Sequence, residues 1–412
     1  MIVQRVEKHI IKPSNIHYAL LDKFCFQSKN LYNHANFIMR HEFLKNRKAV
    51  PYGGLDKILK ADEAYPDYRA MPTAQSAQQV LRLLEKNWKS FFKSIKDWTK
   101  NKDKYTGKPK LPKYKKKDSR NILILTNQNV KLRDGALKFP KKFEGFSIKL
   151  KCCERNNFDA FHQVRFIPKQ GFIVLEVVYS ISICEAKPDN QRYCSIDIGI
   201  DNLAAVTANT GCGTYIINGR GLKSVNKYYN KQMSHYRGVA KRMNGMDFTK
   251  RMARITAKRN RKMEDYMHKA GRKIVDNCMD EDIHTIVIGY NKNWKRDTGL
   301  GRNVNQSFAG IPTRRFIEMI QYKAQEAGIN VILTEESYTS GTSFLDGEEP
   351  VKKNYNKSRR IHRGLFHSNN GTQINADINA SYQILKKVFP AAYANGVEGV
   401  VLHPFRVNAA FV

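Results

Sequence analysis

Acidic residues are scarce in this sequence, and its cysteines are not paired. The 412 residues include 72 lysines and arginines but only 37 aspartates and glutamates, so the formal net charge is +35. None of the seven cysteines is spaced from another as C-x-x-C, the arrangement that structural zinc sites commonly use. We therefore expect single, buried cysteines and no structural zinc.

Long apolar segments are also missing. The sequence has no run of about eighteen apolar residues, and its opening MIVQRVEKHIIKP lacks the apolar centre of a secretion signal. These absences predict a soluble, intracellular protein with no membrane partner. Hydrophobic residues still make up 41% of the chain, which at this length predicts two or three folded domains.

The excess of positive charge predicts a polyanionic partner. A net charge this far from zero makes the folded chain repel itself unless anions neutralise it. Because the basic residues are spread along nearly the whole chain, they favour a long nucleic-acid contact over one membrane-binding face. A ribosomal or merely basic protein is the alternative, but it does not explain the carboxylates of the second half.

Those carboxylates lie at the ends of strand-like segments or in a helical pattern. YCSIDIGIDN places Asp197 near the end of a buried strand, and INADINASY places Asp377 in a helix. Between them come the strand-like TIVIGYN and then ILTEE, with Glu335 and Glu336. Phosphodiester cleavage uses divalent metal ions held by carboxylates, often two ions about 3.5–4 Å apart, and Mg²⁺ prefers carboxylate and water oxygens. The pattern predicts a nuclease, a strand transferase or an inactive form of either.

The first half of the chain is predicted to combine helices with a small β structure. A strand at residues 3–11 precedes two helices, at about 14–45 and 77–98, and a loop is expected at Pro51–Gly54. Strands from 121 to 183, with an Asp-Gly hairpin turn, predict an antiparallel barrel or sandwich. We expect the N-terminal strand to complete that sheet.

The second half follows the element order of RNase H-like folds. Three antiparallel strands come first, and a long basic helical region follows at residues 225–279. Strand, helix, strand and the helix with Asp377 complete the order. The whole chain is therefore predicted to be an α+β, multidomain protein.

Two basic regions are the predicted nucleic-acid contacts. KPKLPKYKKK combines prolines with dense lysines, so we expect an irregular loop that meets phosphates, with a solvated linker as the alternative. The helical region at 225–279 supplies a second set of cations. The predicted contact residues are Lys108, Lys110, Lys113, Tyr114, Lys115, Lys116, Lys117, Arg254, Lys258, Arg259 and Arg261.

Taken together, SIDIGIDNLAAV, TIVIGYNKNWK, ILTEESYTS, INADINASYQI and KPKLPKYKKK resemble the TnpB family, the transposon-encoded relatives of type V CRISPR effectors. The resemblance covers nearly the whole chain. It implies a split RuvC nuclease, a non-coding guide RNA, and Mg²⁺- or Mn²⁺-dependent cleavage of double-stranded DNA beside a short adjacent motif. It also implies a monomeric ribonucleoprotein in a prokaryotic cytoplasm, associated with the nucleoid.

The resemblance further implies four parts of the chain. Residues 1–13 and 119–190 would form a wedge-like β-barrel, interrupted by a helical recognition insertion at 14–118 that contains the basic loop. Residues 191–338 and 372–412 would form the RuvC domain. Residues 339–371, called the insertion below, would bind target nucleic acid.

Two departures from the family matter. Most relatives carry two C-x-x-C pairs after Y-T-S, whereas this chain has Ser343 at the first expected ligand and no cysteine in the insertion. No zinc is expected there, since His362 and His367 alone are more typical of surface or RNA-contacting residues.

The second departure concerns catalysis, because Gly289 stands where the family has its middle glutamate. Some relatives, including Fanzor proteins, use a glutamate shifted to just before the Y-T-S-like turn, which corresponds here to Glu336, with Glu335 as the other possibility. Adjacent strand residues point to opposite faces, so only one of the two can serve. The predicted catalytic residues are Asp197, Glu336 or Glu335, and Asp377, with Asp197, Glu336 and Asp377 as metal ligands. The alternatives are a nuclease-inactive RNA-guided repressor and a transposase or transposition accessory protein.

Overall fold

The computed structural model of this chain describes residues 1–211, 213–291, 306, 310–362, 364–393 and 401–409. Contacts within it separate two compact units. The N-terminal unit is residues 2–182, and the C-terminal unit is Met1 with residues 183–412. The end of the motif TIVIGYNKNWK, residues 292–295, lies outside the described residues.

The N-terminal unit combines three helices with two antiparallel sheets, one of four strands in the order β1-β7-β6-β2 and one in the order β3-β4-β5. Strand β1 pairs with β7 over its whole length, which confirms that the N-terminal strand joins this sheet. The helices are α1 (Tyr18–Asn46), α2 (Tyr52–Ala61) and α3 (Ala74–Lys100). The strands are β1 (Ile2–Ile11), β2 (Leu123–Thr126), β3 (Lys131–Arg133), β4 (Ala136–Lys138), β5 (Ser147–Lys149), β6 (Phe158–Lys169) and β7 (Phe172–Ser182).

Local sequence chemistry explains two of these boundaries. Helix α3 is capped by Thr73, the residue before its first turn, whose side chain accepts a hydrogen bond from the Ser76 amide in a capping box. The β3–β4 hairpin turns at Asp134 and Gly135, with φ of 49° and 69°, as the favoured type I′ turn requires. The Asp-Gly hairpin is therefore confirmed.

The expected loop at Pro51–Gly54 was wrong, because α2 begins there. Pro51 occupies the N-cap with an extended backbone, where its missing amide hydrogen costs nothing. The two glycines fall in the first helical turn, and the side chains of Leu55 and Leu59 form the buried face of the helix. Burial of these leucines outweighs the weak helix propensity of glycine.

The C-terminal unit contains a six-stranded mixed sheet in the order β12-β11-β8-β9-β10-β15. Strands β8, β9 and β10 are antiparallel, whereas β11 runs parallel to β8, and β12 parallel to β11. Strands β8 and β11 are almost wholly buried, as expected where both faces of a sheet are covered. The strands are β8 (Tyr193–Asp197), β9 (Asn202–Ala208), β10 (Tyr215–Asn218), β11 (Thr285–Gly289), β12 (Asn330–Thr334), β13 (Leu365–His367), β14 (Gln373–Asn375) and β15 (Phe405–Val407).

The helices of this unit are α4 (Arg220–Asn244), α5 (Lys250–Asp280), α6 (Thr313–Glu326) and α7 (Ala376–Val388). The continuous helical region expected at 225–279 is two helices. Gly245 ends α4 in the left-handed conformation, and the Thr249 side chain caps the start of α5. Gly245 and Thr249 are recognisable helix-end residues in the sequence, but basic residues continue on both sides of them and favoured a single helix. Among the described residues, no helix is both long enough and apolar enough to cross a bilayer.

Candidate functional site

A cavity of about 870 Å³ opens at the edge of the sheet where β8 and β12 end. Parallel strands bring their carboxyl ends to one edge, and α7 begins beside it. The cavity is lined by Asp197, Glu336 and Asp377, from three separate segments, and by Arg360 of the insertion. The structure thus brings three of the four predicted catalytic residues to one cavity.

Asp197 is the last residue of β8. Burial is the largest cause that raises its pKa well above the ordinary value, and the nearby charges of Asp377 and Glu336 raise it further. The Arg360 guanidinium acts in the opposite direction. Asp197 therefore sits where a negative charge is costly unless a cation is supplied.

Asp377 lies in the first turn of α7, where the helix dipole favours a carboxylate. The Asn375 side chain caps the helix by accepting hydrogen bonds from the amides of Asp377 and Ile378. One Asp377 oxygen accepts a 2.7 Å hydrogen bond from Asn202 Nδ2, and the other lies 3.1 Å from Arg360 Nη2. Both oxygens are thus held in place by donors from other segments.

The two candidate glutamates face different surroundings. Glu336 lines the cavity with the two aspartates, and burial raises its pKa. Glu335 is exposed, accepts a hydrogen bond from Ser337 Oγ, and lines a separate cavity of about 830 Å³. This arrangement follows from the alternation of side chains along an extended segment.

Gly289, at the end of β11, adjoins Glu336. A Cβ atom built on Gly289 would lie 3.4 Å from Glu336 Cβ and 2.6 Å from Ile384 Cδ1. The space that a side chain at position 289 would enter is therefore already filled by Ile384 and Glu336.

Three buried hydroxyl groups join β8 and β9 to α7 beneath the acids. Ser195 Oγ lies 2.7 Å from Thr207 Oγ1 and donates to the Ser381 carbonyl, while Ser381 Oγ donates to the Ser195 carbonyl. Ser195 is two strand residues from Asp197, and Ser381 is one helical turn from Asp377, so each serine shares a face with its acid. The small side chains let the helix approach the sheet closely and fix the two aspartates relative to each other.

The donor chemistry of the cavity fits a hard divalent cation, since carboxylate oxygens are the ligands that Mg²⁺ and Mn²⁺ prefer. Within the described ranges, however, no three His, Cys, Asp or Glu side chains stand close enough to hold a metal ion as they are. Each carboxylate oxygen of Asp377 instead accepts a hydrogen bond, one from the Asn202 side-chain amide and the other from the Arg360 guanidinium.

The insertion is held against α7 by side chains on successive helical turns. Asn379 Oδ1 accepts from the Phe344 amide and Nδ2 donates to the Thr342 carbonyl. Gln383 and Lys386, one and two turns further on, both donate to the Glu348 carbonyl. The helix that carries Asp377 therefore also holds the main chain of the insertion.

A comparable arrangement holds the basic strap, residues 108–117, in the N-terminal unit. Side chains of α1 spaced three or four residues apart bind its main chain: Lys29 donates to Lys117, Asn33 pairs with the amide and carbonyl of Lys115, and Asn36 and Arg40 donate to Pro112. The strap is therefore fixed along α1, which contradicts the solvated-linker alternative.

The strap presents most of its cations outward. Six of the seven predicted contact residues in it are exposed, and Tyr114 lies under the Arg40 guanidinium at 5.0 Å. Lys115 is instead half-buried, with its ammonium group over the Tyr32 ring at 5.1 Å. A row of exposed cations on a fixed backbone is suited to a polyanion.

The basic residues predicted on α5 fall into two groups. Arg254, Lys258 and Arg261 are exposed. Arg259 is half-buried, donates to the Asn226 side chain and the Gly310 carbonyl, and has its pKa lowered by burial. Arg259 thus connects α5 to neighbouring segments.

Two polar residues of the cavity were missed from the sequence. Asn202 looked like part of a turn after Asp197, and Arg360 was one of many cations in the insertion. The signal for Asn202 was its place in SIDIGIDN, next to the acid motif. Nothing local distinguishes Arg360 from its basic neighbours, since its partner lies 17 residues away.

Comparison with known proteins gives two family matches. Residues 172–295 match the OrfB_IS605 model, described as a probable transposase. Residues 314–384 match the TNB domain of Cas12f1-like proteins. The second match includes Glu336, the insertion and Asp377.

Solved structures show only low likeness. A cryo-EM structure of a Cas12f1–sgRNA–target DNA complex has a TM-score of 0.37 and 14% identity, covering 93% of this chain and 98% of that one. One of CasPhi-2 (Cas12j) bound to crRNA has a TM-score of 0.39 and 8% identity, covering 97% and 99%. Likenesses of this size carry no conclusion about function.

A curated relative extends over almost the whole chain. It is the TnpB-like protein ORF457 of Acidianus two-tailed virus, 24% identical over 434 residues that cover 97% of this chain and 88% of the relative. With the two family matches, it confirms the resemblance that the motifs indicated: the chain is related to the TnpB proteins.

Proposed function

We propose that this protein is an RNA-guided DNA endonuclease whose cutting site is formed by Asp197, Glu336 and Asp377. The observation that supports it most is the convergence of these three carboxylates, from distant segments, on one cavity of a chain with a net charge of +35. Buried acids in a strongly basic protein are costly to keep without a function. The raised pKa values of Asp197 and Glu336 also indicate a site that a cation would stabilise.

Divalent metal ions, Mg²⁺ or Mn²⁺, would supply the chemistry, activating water and stabilising the leaving oxygen. Asp197, Glu336 and Asp377 would hold them. Asn202 orients the Asp377 carboxylate through its amide. The hydroxyl groups of Ser195, Thr207 and Ser381 would fix the spacing between Asp197 and Asp377.

Arg360 has a role that depends on the substrate. Its guanidinium contacts Asp377, and planar guanidinium groups bind phosphate oxygens through paired hydrogen bonds. We propose that Arg360 exchanges its carboxylate partner for a phosphate of the DNA. The exchange leaves Asp377 available to a metal ion.

Guide RNA and double-stranded DNA are the proposed partners. The strap cations and the exposed basic residues of α5 support this, together with a chain-wide positive charge that RNA would neutralise. Residues 1–13 with 119–190, 14–118, 191–338 with 372–412, and 339–371 would be the wedge, recognition, RuvC and target-binding parts.

The test is a matched pair of conservative substitutions in protein purified with its own RNA. Glu336→Gln removes one negative charge from the cavity and keeps the shape of the side chain. We expect cleavage of guided DNA in Mg²⁺ to fall by more than the roughly 10- to 100-fold that follows loss of a residue merely adjacent to metal ligands. Glu335→Gln, on the other face, should leave cleavage nearly unchanged, and both variants should bind RNA and target DNA normally.

The same experiment identifies the second candidate, a repressor that binds guided DNA without cutting it. Gly289 in place of the expected glutamate and the Arg360–Asp377 pair favour that alternative. Wild-type protein that binds its target but leaves it intact in both Mg²⁺ and Mn²⁺ would establish it. Equal cleavage by both Gln variants would mean that the third carboxylate lies elsewhere.

A further inference from the structure

The insertion is organised around one half-buried cation, Arg359. Its Nη1 lies 2.8 Å from both carboxylate oxygens of Glu348 and 3.8 Å from Asp346 Oδ2. Its Nη2 donates a 2.6 Å hydrogen bond to Asn369 Oδ1. The guanidinium therefore joins two stretches of the insertion that are more than twenty residues apart in sequence.

The carboxylates around Arg359 are themselves bound to the main chain. Glu348 Oε2 accepts from the Ser343 amide, and Asp346 Oδ2 accepts from the Asn369 amide, both at 2.8 Å. Side chains of Arg359, Asp346 and Glu348 are only 18%, 12% and 17% exposed, so salt and water screen these contacts weakly. Each carboxylate is thus held by a main-chain amide, and Arg359 supplies the positive charge that these half-buried anions require.

This network is continuous with α7. The Glu348 carbonyl accepts from Gln383 and Lys386. The Asn379 side chain binds the Thr342 carbonyl and the Phe344 amide, one residue on either side of Ser343. The next residue after Arg359 is Arg360, whose guanidinium reaches Asp377 on the same helix.

We propose that Arg359 is a positioning residue: it holds the insertion against α7 and thereby holds Arg360 at Asp377. The part of this proposal that concerns DNA cutting by way of Arg360 rests on the proposed function. The part that concerns where Arg360 lies rests only on the contacts of the structure. Arginine is needed because its planar, forked donors serve Glu348 and Asn369 together, which the single ammonium group of lysine cannot do.

The first test uses full-length protein with its bound RNA and measures tryptic cleavage after Arg360 by mass spectrometry. Proteolysis follows the population of locally opened molecules, so Arg359→Ala should raise the rate about tenfold or more. Arg359→Lys should raise it by a similar factor despite keeping the charge. Lys353→Ala, which changes an exposed lysine of the same insertion, should leave the rate unchanged.

The proposal is overturned if Arg359→Ala leaves cleavage after Arg360 as slow as in the wild type, or if Arg359→Lys behaves like the wild type. Loss of circular dichroism signal would identify a variant that does not fold. In that case Glu348→Gln, which weakens the same contact from the other side, is measured in its place. Faster cleavage after Arg360 in Glu348→Gln supports the proposal, and cleavage as slow as in the wild type overturns it.

The second test is a double-mutant cycle on DNA cleavage. If Arg359 acts through Arg360, then Arg359→Ala should reduce cleavage about as much as Arg360→Ala, and the double variant should lose little more. Additive losses would show that Arg359 acts independently and would overturn the coupling. If the wild type binds guided DNA but does not cut it, the proposed function fails while the trypsin result still decides the position of Arg360.

Discussion

Helices α1 and α7 each hold an irregular segment by the same means, although they belong to different units. On α1, Lys29, Asn33, Asn36 and Arg40 bind the main chain of the strap. On α7, polar side chains one and two turns apart bind the main chain of the insertion, beginning with Asn379. In both, spacing of three or four residues aligns donors along one helix face.

The two held segments differ in where their cations point. Arg360 of the insertion contacts Asp377, and Arg359 contacts Glu348, so these charges are compensated within the protein. In the strap, Lys113, Lys116 and Lys117 are exposed on a backbone already fixed in position. A polar helix face can therefore place a cation against an acid of the same protein, or hold a row of cations ready for an external polyanion.

The largest expected effect on stability comes from replacing the fully buried asparagine of either helix, Asn36 of α1 or Asn379 of α7. Asn379→Leu leaves the Phe344 amide and the Thr342 carbonyl unpaired. Asn36→Leu leaves Trp88 Nε1 unpaired and removes one of the two donors to the Pro112 carbonyl, which keeps Arg40. A buried unpaired polar group costs about 1–3 kcal/mol. Asn379→Leu should therefore lose about 2–5 kcal/mol of unfolding free energy, and Asn36→Leu about 1–3 kcal/mol, both measured by urea denaturation.

Function separates the two variants. Asn379→Leu should impair DNA cleavage more than nucleic-acid binding, whereas Asn36→Leu should weaken binding. Asn46→Leu, at the exposed end of α1, is the control and should be nearly neutral. Identical functional profiles for Asn379→Leu and Asn36→Leu would contradict the difference drawn between the two segments.

A smaller effect is expected from the strap cations. Replacing Lys113, Lys116 and Lys117 by Ala should reduce the dependence of log K on log salt by about 2–3, since each phosphate contact contributes about 0.7–0.9. Binding isotherms at several salt concentrations measure the slope. The matched control replaces Lys45, Lys48 and Lys60, which are exposed lysines of the same unit outside the strap. Equal slopes for the two triple variants would remove the strap from the nucleic-acid contact.

The smallest effect concerns the stability of the acid site without metal. Burial and neighbouring acids raise the pKa of Asp197, so the folded state binds its proton more tightly than the unfolded state does. The folded state is therefore favoured by protonation of Asp197, and this contribution is lost as pH rises from the ordinary aspartate range, about 3.9, through the raised pKa. Asp197→Asn should slightly raise the melting temperature at neutral pH in EDTA, and the difference should vanish at about pH 3. A lower melting temperature for Asp197→Asn at neutral pH would mean that the ionised carboxylate is stabilised in the fold.

Features with local causes could be predicted from the sequence. The Asp-Gly hairpin, the strand ending at Asp197 and the helix carrying Asp377 were all read correctly, because turn chemistry and periodicity are written in adjacent residues. Helix α2 was missed because buried Leu55 and Leu59 outweigh a local Pro-Gly-Gly signal.

Features with distant causes could not be predicted. Arg360 is chemically like every cation around it, and only the fold gives it Asp377 as a partner. The same holds for Asn36 and Asn379, since an asparagine within a helix usually indicates weak propensity and reveals nothing about a main-chain partner elsewhere. The strap looked like either a contact or a linker because its lysines are visible in sequence and its attachments are not.

Gly289 limits the routes by which such a sequence can change. Any larger residue there must displace the end of Ile384, which is fully buried, and would lie beside Glu336. An acid introduced at 289 while Glu336 remains would crowd two carboxylates against a closed core. Moving the acid back to β11 therefore requires at least two coordinated substitutions, and each single intermediate carries either no acid or too many. A chain with its acid at position 336 therefore cannot reach the arrangement with an acid at position 289 through single substitutions that each preserve the site.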